Sequence, residues 1–294
     1  MTETMILKGK PVAELNKNYC MQLIEENKLK PKLVVFLIGN DSASDYYVSN
    51  IQKQGKKLNI DVFVEKFDSI EENELCSKIS LLNNDNNIHG IMVQKPLPQD
   101  IDSAKIESLI NPEKDVDGFH PLNAGLMLQE KDCFLPCTAQ AILEMMDYYQ
   151  INPNKKHVVV VGRSNVVGKP IANLLLYKNK SRSATVTVCH SQTPDLSVFT
   201  KQADILITAV GVANLINADM IKNQAVILDA GMNEVVNSDS KTIYVGDVNY
   251  EDCYQKCNAI TPVPGGIGSV TTTILFKNIC ESALKIKKNK KIVD

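Results

Sequence analysis

The 294-residue chain is predicted to be an α/β protein of two α/β domains, the second built on a doubly wound parallel sheet. Three observations predict this. Strand and helix periods alternate through the first half, and the alternation restarts after residue 150. The length exceeds what one hydrophobic core usually serves. Residues 158–170 read as a buried strand, a glycine turn and a helix start.

The elements follow in order. Residues 33–38 form an apolar strand, 44–58 have helical spacing, and 61–67 are a second strand. A helix over 71–82 leads to a strand at 90–93, closing a βαβαβ unit, with the asparagine run 83–87 as the turn before it. A helix near 139–149 carries the domain boundary. Strands at 157–161, 184–189, 204–209 and 225–229 alternate with helices at 167–177 and 196–202, and a short strand is expected at 242–245. This strand recurrence, every ~20–27 residues with helices between, is Rossmann-like. Residues 270–286 form one helix that packs back on the first domain. The expected domains are therefore 1–145 completed by 270–294, and 146–269.

Composition is that of an ordinary globular enzyme, with 44% hydrophobic residues, 22% charged residues and a net charge of −2. Nothing in that balance points to nucleic acid or an acidic membrane as partner. The start has no signal-peptide pattern, and the apolar stretch 205–216 is too short and interrupted to span a bilayer, so the cytoplasm is expected. Of the eight cysteines, the nearest pairs, Cys133/Cys137 and Cys253/Cys257, lack a histidine cluster; reduced thiols and no metal are expected. The five lysines of 285–291 read as a solvated, fraying end.

Chemistry concentrates at the strand–loop–helix joint. Gly162 ends the valine strand, and a helix opens near Val167. Ser164 stands where G-x-G-x-x-G has its second glycine, and Gly168 comes one residue late. Unpaired N–H groups and the helix dipole at such a joint suit a phosphate. The next strand ends Cys189-His190-Ser191 without the carboxylate that would accept a ribose 2′-hydroxyl, while Arg163 sits in the loop. Guanidinium, imidazole and hydroxyl suit a 2′-phosphate, so NADP is expected, with NAD as the alternative. The plainer readings are a solvated Arg163 and a helix-capping Ser191. Ala209 and Gly211, at the end of the following strand, complete the expected cofactor set.

Three further stretches are polar and sharply turned: Gln94-Lys95-Pro96-Leu97-Pro98, residues 115–121 and residues 261–268. Pro96, Pro98, Pro262 and Pro264 stiffen loops there, and Gly265 and Gly266 let backbone approach a ligand.

Taken in order, Tyr47-Val48, 93–98, 112–121, Pro136-Cys137-Thr138, 162–170, 189–191 and 261–266 resemble the methylenetetrahydrofolate dehydrogenase/cyclohydrolase family over nearly the whole chain. The resemblance implies a folate cleft between the two domains. Tyr47 would lie against the pterin and aminobenzoyl part, with Gln94 and Asp117 deeper and Asp117 bonded to the pterin edge. Pro96, Pro264, Gly265 and Gly266 would line the folate. Thr138 would sit near the nicotinamide, and Arg163, Ser164 and Ser191 near the adenosine phosphates, with His190 beside them. The implied reaction passes hydride from 5,10-methylenetetrahydrofolate to the nicotinamide, leaving the 5,10-methenyl cation; positioning dominates such a step. A homodimer with tetrahydrofolate derivatives as ligands is implied as well. Without the resemblance, Tyr47 equally faces a core, Gln94 caps a strand and Asp117 caps a helix.

One departure matters. Family members with cyclohydrolase activity carry a lysine four residues after this tyrosine, on the same helix face; this chain has Ile51. Lys53 is turned about 120° from Tyr47, and Lys56 and Lys57 lie more than two turns up. The expectation is a dehydrogenase with weak or absent cyclohydrolase. The alternative is a bifunctional enzyme yielding 10-formyltetrahydrofolate, with Lys53 or Lys56 recruited as its catalytic amine by a shifted helix. Residues 268–271 also depart, with Ser269 and Val270 where the family usually has proline and methionine.

Overall fold

The computed structural model describes residues 3–179, 181–236 and 241–293. The first half contains β1 (Met5–Ile6), α1 (Lys10–Asn27), β2 (Lys32–Ile38), α2 (Ser42–Lys57), β3 (Asp61–Phe67), α3 (Glu72–Asn84), β4 (Gly90–Val93), α4 (Ser103–Leu109), α5 (Pro121–Leu128) and α6 (Cys137–Tyr148). The second half contains β5 (His157–Val161), α7 (Gly168–Leu174), β6 (Thr185–Cys189), α8 (Leu196–Thr200), β7 (Ile205–Thr208), β8 (Val226–Asp229), β9 (Asn233–Val236), β10 (Thr242–Val245), α9 (Tyr250–Tyr254), β11 (Ala259–Ile260) and α10 (Ile267–Val293).

Two compact units result: Leu15–Leu135 with Thr272–Asp294, and Met1–Glu14 with Pro136–Thr271. The sequence put the division at 145/146, inside a helix. The contacts put it before α6, because α6 packs on α7, and they give the first fourteen residues to the second unit. The cause of the latter is β1, which pairs in parallel with β11, Met5 beside Ala259 and Ile6 beside Ile260.

The first unit holds a three-stranded parallel sheet ordered β3-β2-β4. The central strand β2, Lys-Leu-Val-Val-Phe-Leu-Ile, is buried from Leu33 onward, as a parallel strand covered on both faces must be. Helix α2 starts two residues earlier than the periodicity suggests, because Asp41 caps it by accepting the Ser44 N–H at 2.8 Å. Its buried stripe is Ser44, Val48, Ile51 and Gly55. Gly55 is required there, since a Cβ would stand 2.8 Å from Val62 Cγ2 of β3.

Helix α3 runs two residues past the expected end and is closed by a buried cation. Lys114 Nζ donates to the carbonyls of Leu82 (2.8 Å), Asn83 (2.9 Å) and Asp85 (2.8 Å), satisfying three groups a helix end leaves open. Burial pushes the Lys114 ammonium below its usual pKa, and the Asp85 carboxylate opposes that shift. Lys114→Met should cost about 2–4 kcal/mol, since it strands those carbonyls. Urea unfolding of the two proteins checks this, and a difference under about 0.5 kcal/mol would contradict the role given to Lys114.

Helix α10 begins three residues before the predicted start and continues to Val293, so it includes the basic segment 285–291. Asn278 Nδ2 donates to Val116 O and Ser282 Oγ to Glu113 O, both at 2.8 Å, and Lys287 Nζ reaches Asn27 O at 2.7 Å. The first two bonds fix the segment that carries Asp117, and the third ties α10 to the end of α1.

The second unit holds a six-stranded parallel sheet ordered β1-β11-β8-β7-β5-β6. Strand order reverses at β5, with β6 on one side and β7 on the other. In open α/β sheets such a switch point leaves a crevice beyond the carboxyl ends of the strands. The strand over 242–245 exists but lies outside this sheet, pairing antiparallel with β9. Among the described residues no helix is long and apolar enough to cross a membrane.

Candidate active site

The predicted residues fall into two groups, one in each unit. In the first unit, Tyr47 is half-buried in the second turn of α2, beside the buried stripe rather than on it. Gln94 follows β4, and its N–H extends the sheet to Phe36 O at 2.9 Å. Its Nε2 donates to the Lys95 carbonyl at 2.7 Å, while its Oε1 is buried and has no partner among the described residues. An orphaned buried acceptor costs about 1–3 kcal/mol, so Gln94 Oε1 carries an acceptor capacity that the described residues leave unused.

The turn of residues 115–121 divides its two aspartates by role. Asp115 is buried and accepts from Phe119 N (3.1 Å), His120 N (2.7 Å) and Asn123 Nδ2 (2.8 Å). Burial raises its pKa, and those donors pull it back. Gly118 takes φ +79° to make the turn. Asp117 stays half-buried on the outside of the turn, and His120, not Asp117, caps α5. Lys95 braces the arrangement: its ammonium pairs with Glu107 and lies 4.5 Å from the Phe119 ring centroid. Its carbonyl receives Ser44 Oγ at 3.3 Å as well as Gln94.

On α2, Ile51 is fully buried (0% exposed), whereas Lys53, Lys56 and Lys57 face solvent. Ile51 shares the helical spacing of Val48 and Leu58, so its place on the core stripe agrees with the apolar period of the helix.

In the second unit, two glycine-dependent contacts build the crevice. Gly162 has φ +126°, and a Cβ on it would stand 2.3 Å from Ala209 O. A Cβ on Gly168 would stand 2.1 Å from Gly162 O. The loops after β5 and β7 and the start of α7 therefore meet backbone to backbone, the close cradle a pyrophosphate needs. Val167 occupies the cap position of α7, and Ser164 Oγ accepts its N–H at 3.1 Å, so Ser164 closes the helix start while Arg163 beside it is exposed.

After β6, His190 is half-buried and Ser191 exposed. His190 N–H donates to Thr193 Oγ1 at 2.9 Å, and its ring Nδ1 accepts Gln192 N–H at 3.2 Å. Ser191 caps no helix, since α8 begins only at Leu196 behind Asp195. Gly211, at φ +70°, is exposed, and Thr138 is half-buried in the first turn of α6.

Pro96 lies in the first unit, whereas Pro264, Gly265 and Gly266 lie in the second. Gly9 N–H donates to Gly265 O at 2.8 Å, and Ser269 Oγ donates to Gly266 O at 2.7 Å. Ser269, one of the departures at 268–271, thus pins the turn before it. Sequence reasoning gave no individual role to Asp115 and Lys114, though both lie in the stretch 112–121, and none to Asp229 and Asp247; all four are buried and support these loops. An aspartate closing the apolar strand β8 was the available signal for Asp229.

Comparison with known proteins gives a match at the level of the family. Residues 7–117 match the family model for the tetrahydrofolate dehydrogenase/cyclohydrolase catalytic domain, and residues 136–287 match that for its NAD(P)-binding domain. A protein of Chlorobium chlorochromatii named bifunctional protein FolD is 46% identical over 292 residues, which is 96% of this chain and 99% of its own. The crystal structure of the bifunctional FolD methylenetetrahydrofolate dehydrogenase/cyclohydrolase of Campylobacter jejuni is 37% identical with a TM-score of 0.90, covering 96% of this chain and 99% of that one. The Trypanosoma brucei FolD, solved with an NADP cofactor and an inhibitor, is 31% identical with a TM-score of 0.90, covering 97% and 99%.

Proposed function

We propose a function from one premise: the chain belongs to the tetrahydrofolate dehydrogenase/cyclohydrolase family. It oxidises 5,10-methylenetetrahydrofolate to the 5,10-methenyl cation, and its cyclohydrolase activity is weak or absent. NADP, when bound, supplies the nicotinamide that takes up the hydride. The chain's own work is positioning. Tyr47 presents its ring to the pterin and aminobenzoyl part, Gln94 Oε1 accepts a folate donor, and Asp117 accepts from the pterin edge. Pro96, Pro264, Gly265 and Gly266 contact the folate; Thr138, Gly162, Arg163, Ser164, Val167, Gly168, His190, Ser191, Ala209 and Gly211 hold the dinucleotide. Held alignment of two reactants is worth about 7–11 kcal/mol of barrier.

The observation that carries the loss of cyclohydrolase is Ile51, fully buried on the core stripe of α2 four residues after Tyr47. Adding water to the methenyl carbon and opening the ring both move protons, and Ile51 offers no group to move them. The test follows methenyltetrahydrofolate absorbance with the purified protein against the uncatalysed rate; clear catalysis would overturn this half of the reading. The second reading, a bifunctional enzyme, is favoured by the names of the relatives, several of which are called bifunctional. It would require Lys53, exposed and turned away from Tyr47, to serve as the amine.

NADP is preferred over NAD because the end of β6 offers His190 and Ser191 but no carboxylate, with the exposed Arg163 in the preceding loop. Arg163→Gln should raise the KM for NADP about 10-fold or more and leave that for NAD within about two-fold. Initial rates at matched concentrations decide it, and equal effects on both would refute a 2′-phosphate contact. The reading extends to a cytoplasmic homodimer, checked by sedimentation of the purified protein.

A further inference from the structure

Two buried aspartates in the second unit are among neither the folate-contacting nor the dinucleotide-contacting residues. Asp247 is 0% exposed and Asp229 is 2% exposed. Burying carboxylates is expensive, several kcal/mol each unless every lone pair is used. Here the oxygens are used, and the pattern of their use is informative.

Asp229 closes β8. Its Oδ1 accepts from Thr208 Oγ1 (2.9 Å), Gly231 N (2.9 Å) and Asp247 N (3.2 Å), and its Oδ2 from Val248 N at 2.9 Å. It therefore ties the end of β7 to the turn of residues 246–248. That turn presents the Asp247 side chain toward the loop after β7. Asp247 Oδ2 accepts Val210 N–H at 2.6 Å, and its Oδ1 accepts Val212 N–H and Asn233 Nδ2, both at 3.0 Å.

The two loop amides flank Gly211, so the carboxylate grips both shoulders of a left-handed turn. Ala209, next along, is the residue whose carbonyl meets Gly162. Space around the pair is fitted to it: a Cβ on Gly231 would stand 2.2 Å from Asp247 Cγ, and one on Gly246 would stand 2.0 Å from Asp229 Oδ2. Displacing the loop after β7 by a few tenths of an ångström would alter its contact with Gly162 and hence the shape of the crevice.

We propose that Asp247 is a positioning residue for the dinucleotide, acting through the Val210 and Val212 amides on the loop of residues 209–212, with Asp229 holding Asp247 in turn. This rests on the reading that Ala209 and Gly211 belong to the cofactor site. An apolar residue would fill the same volume, but it could not turn two amides inward at fixed positions.

The test measures dinucleotide affinity by titrating NADPH fluorescence with wild type, Asp247→Asn and Asn233→Ala, alongside steady-state kinetics. Asp247→Asn should raise the NADPH dissociation constant about 10-fold or more, with the KM for methylenetetrahydrofolate within about two-fold of wild type. Asn233→Ala removes one donor and leaves both carboxylates in place; it should weaken NADPH by about two- to five-fold. A folded Asp247→Asn with unchanged NADPH affinity overturns the proposal. If that variant does not fold, unchanged affinity in Asn233→Ala overturns it, and the expected weakening supports it. Wild-type protein that binds neither NADPH nor NADH would overturn the cofactor reading itself, and the proposal with it.

Discussion

Ile51→Lys is expected to raise methenyltetrahydrofolate hydrolysis by about 10²-fold or more over wild type, the range one positioned acid–base group supplies. Dehydrogenase activity should stay within a few fold. The direction follows from helix geometry. Side chains on a helix lean toward its N-terminus, so a lysine at 51 runs along α2 toward the turn that carries Tyr47. Its methylenes would replace the isoleucine on the stripe shared with Val48 and Gly55, and its amine would emerge beside the tyrosine. Stability should fall, because an amine leaving a fully buried position gives up isoleucine packing. Rates are therefore compared per mole of folded protein. Ile51→Met serves as the control, with similar reach and no proton to give. Equal hydrolysis by the lysine and methionine variants would show that position 51 does not control this step.

Much of this was legible in the residues. Strands β3, β4, β5 and β10 begin and end where period and turn signals place them, because long apolar runs beside Gly, Asn and Asp leave little choice. What escaped had physical reasons. Strands β1 and β11 have two residues each, too few for any period, and they find each other across some 250 positions of chain. That pairing also moved the N-terminus into the second unit. Lys114 reads as an exposed charge in a turn until the carbonyls at the end of α3 are placed around it. Asp115 and Asp117 are two residues apart and chemically identical, and only the fold buries the first against three donors and leaves the second half-buried. Ile51 was read only as a missing amine, although it shares the helical spacing of Val48 and Leu58; its full burial adds a stability cost to any attempt to place a lysine there.

Gly168→Ala should abolish tight dinucleotide binding, raising the NADPH dissociation constant about 10²-fold or more, a loss near 2.7 kcal/mol. The added methyl would stand 2.1 Å from Gly162 O, 2.5 Å from Gly162 C and 2.9 Å from Arg163 N. All three are backbone atoms, so no rotamer change relieves the clash, and the loop itself must move. It moves away from α7 at the point where Gly162 is already closed against Ala209 on its other side. Overpacking of this kind costs about 1–3 kcal/mol of stability as well. Gly125→Ala separates the two effects: it lies within α5, where an added Cβ meets nothing within 4 Å. That control should bind NADPH as wild type does and be stabilised by about 0.5–1 kcal/mol, the usual gain of alanine over glycine in a helix. Folded Gly168→Ala binding NADPH within about three-fold of wild type would mean that the crevice between these glycines does not hold the pyrophosphate.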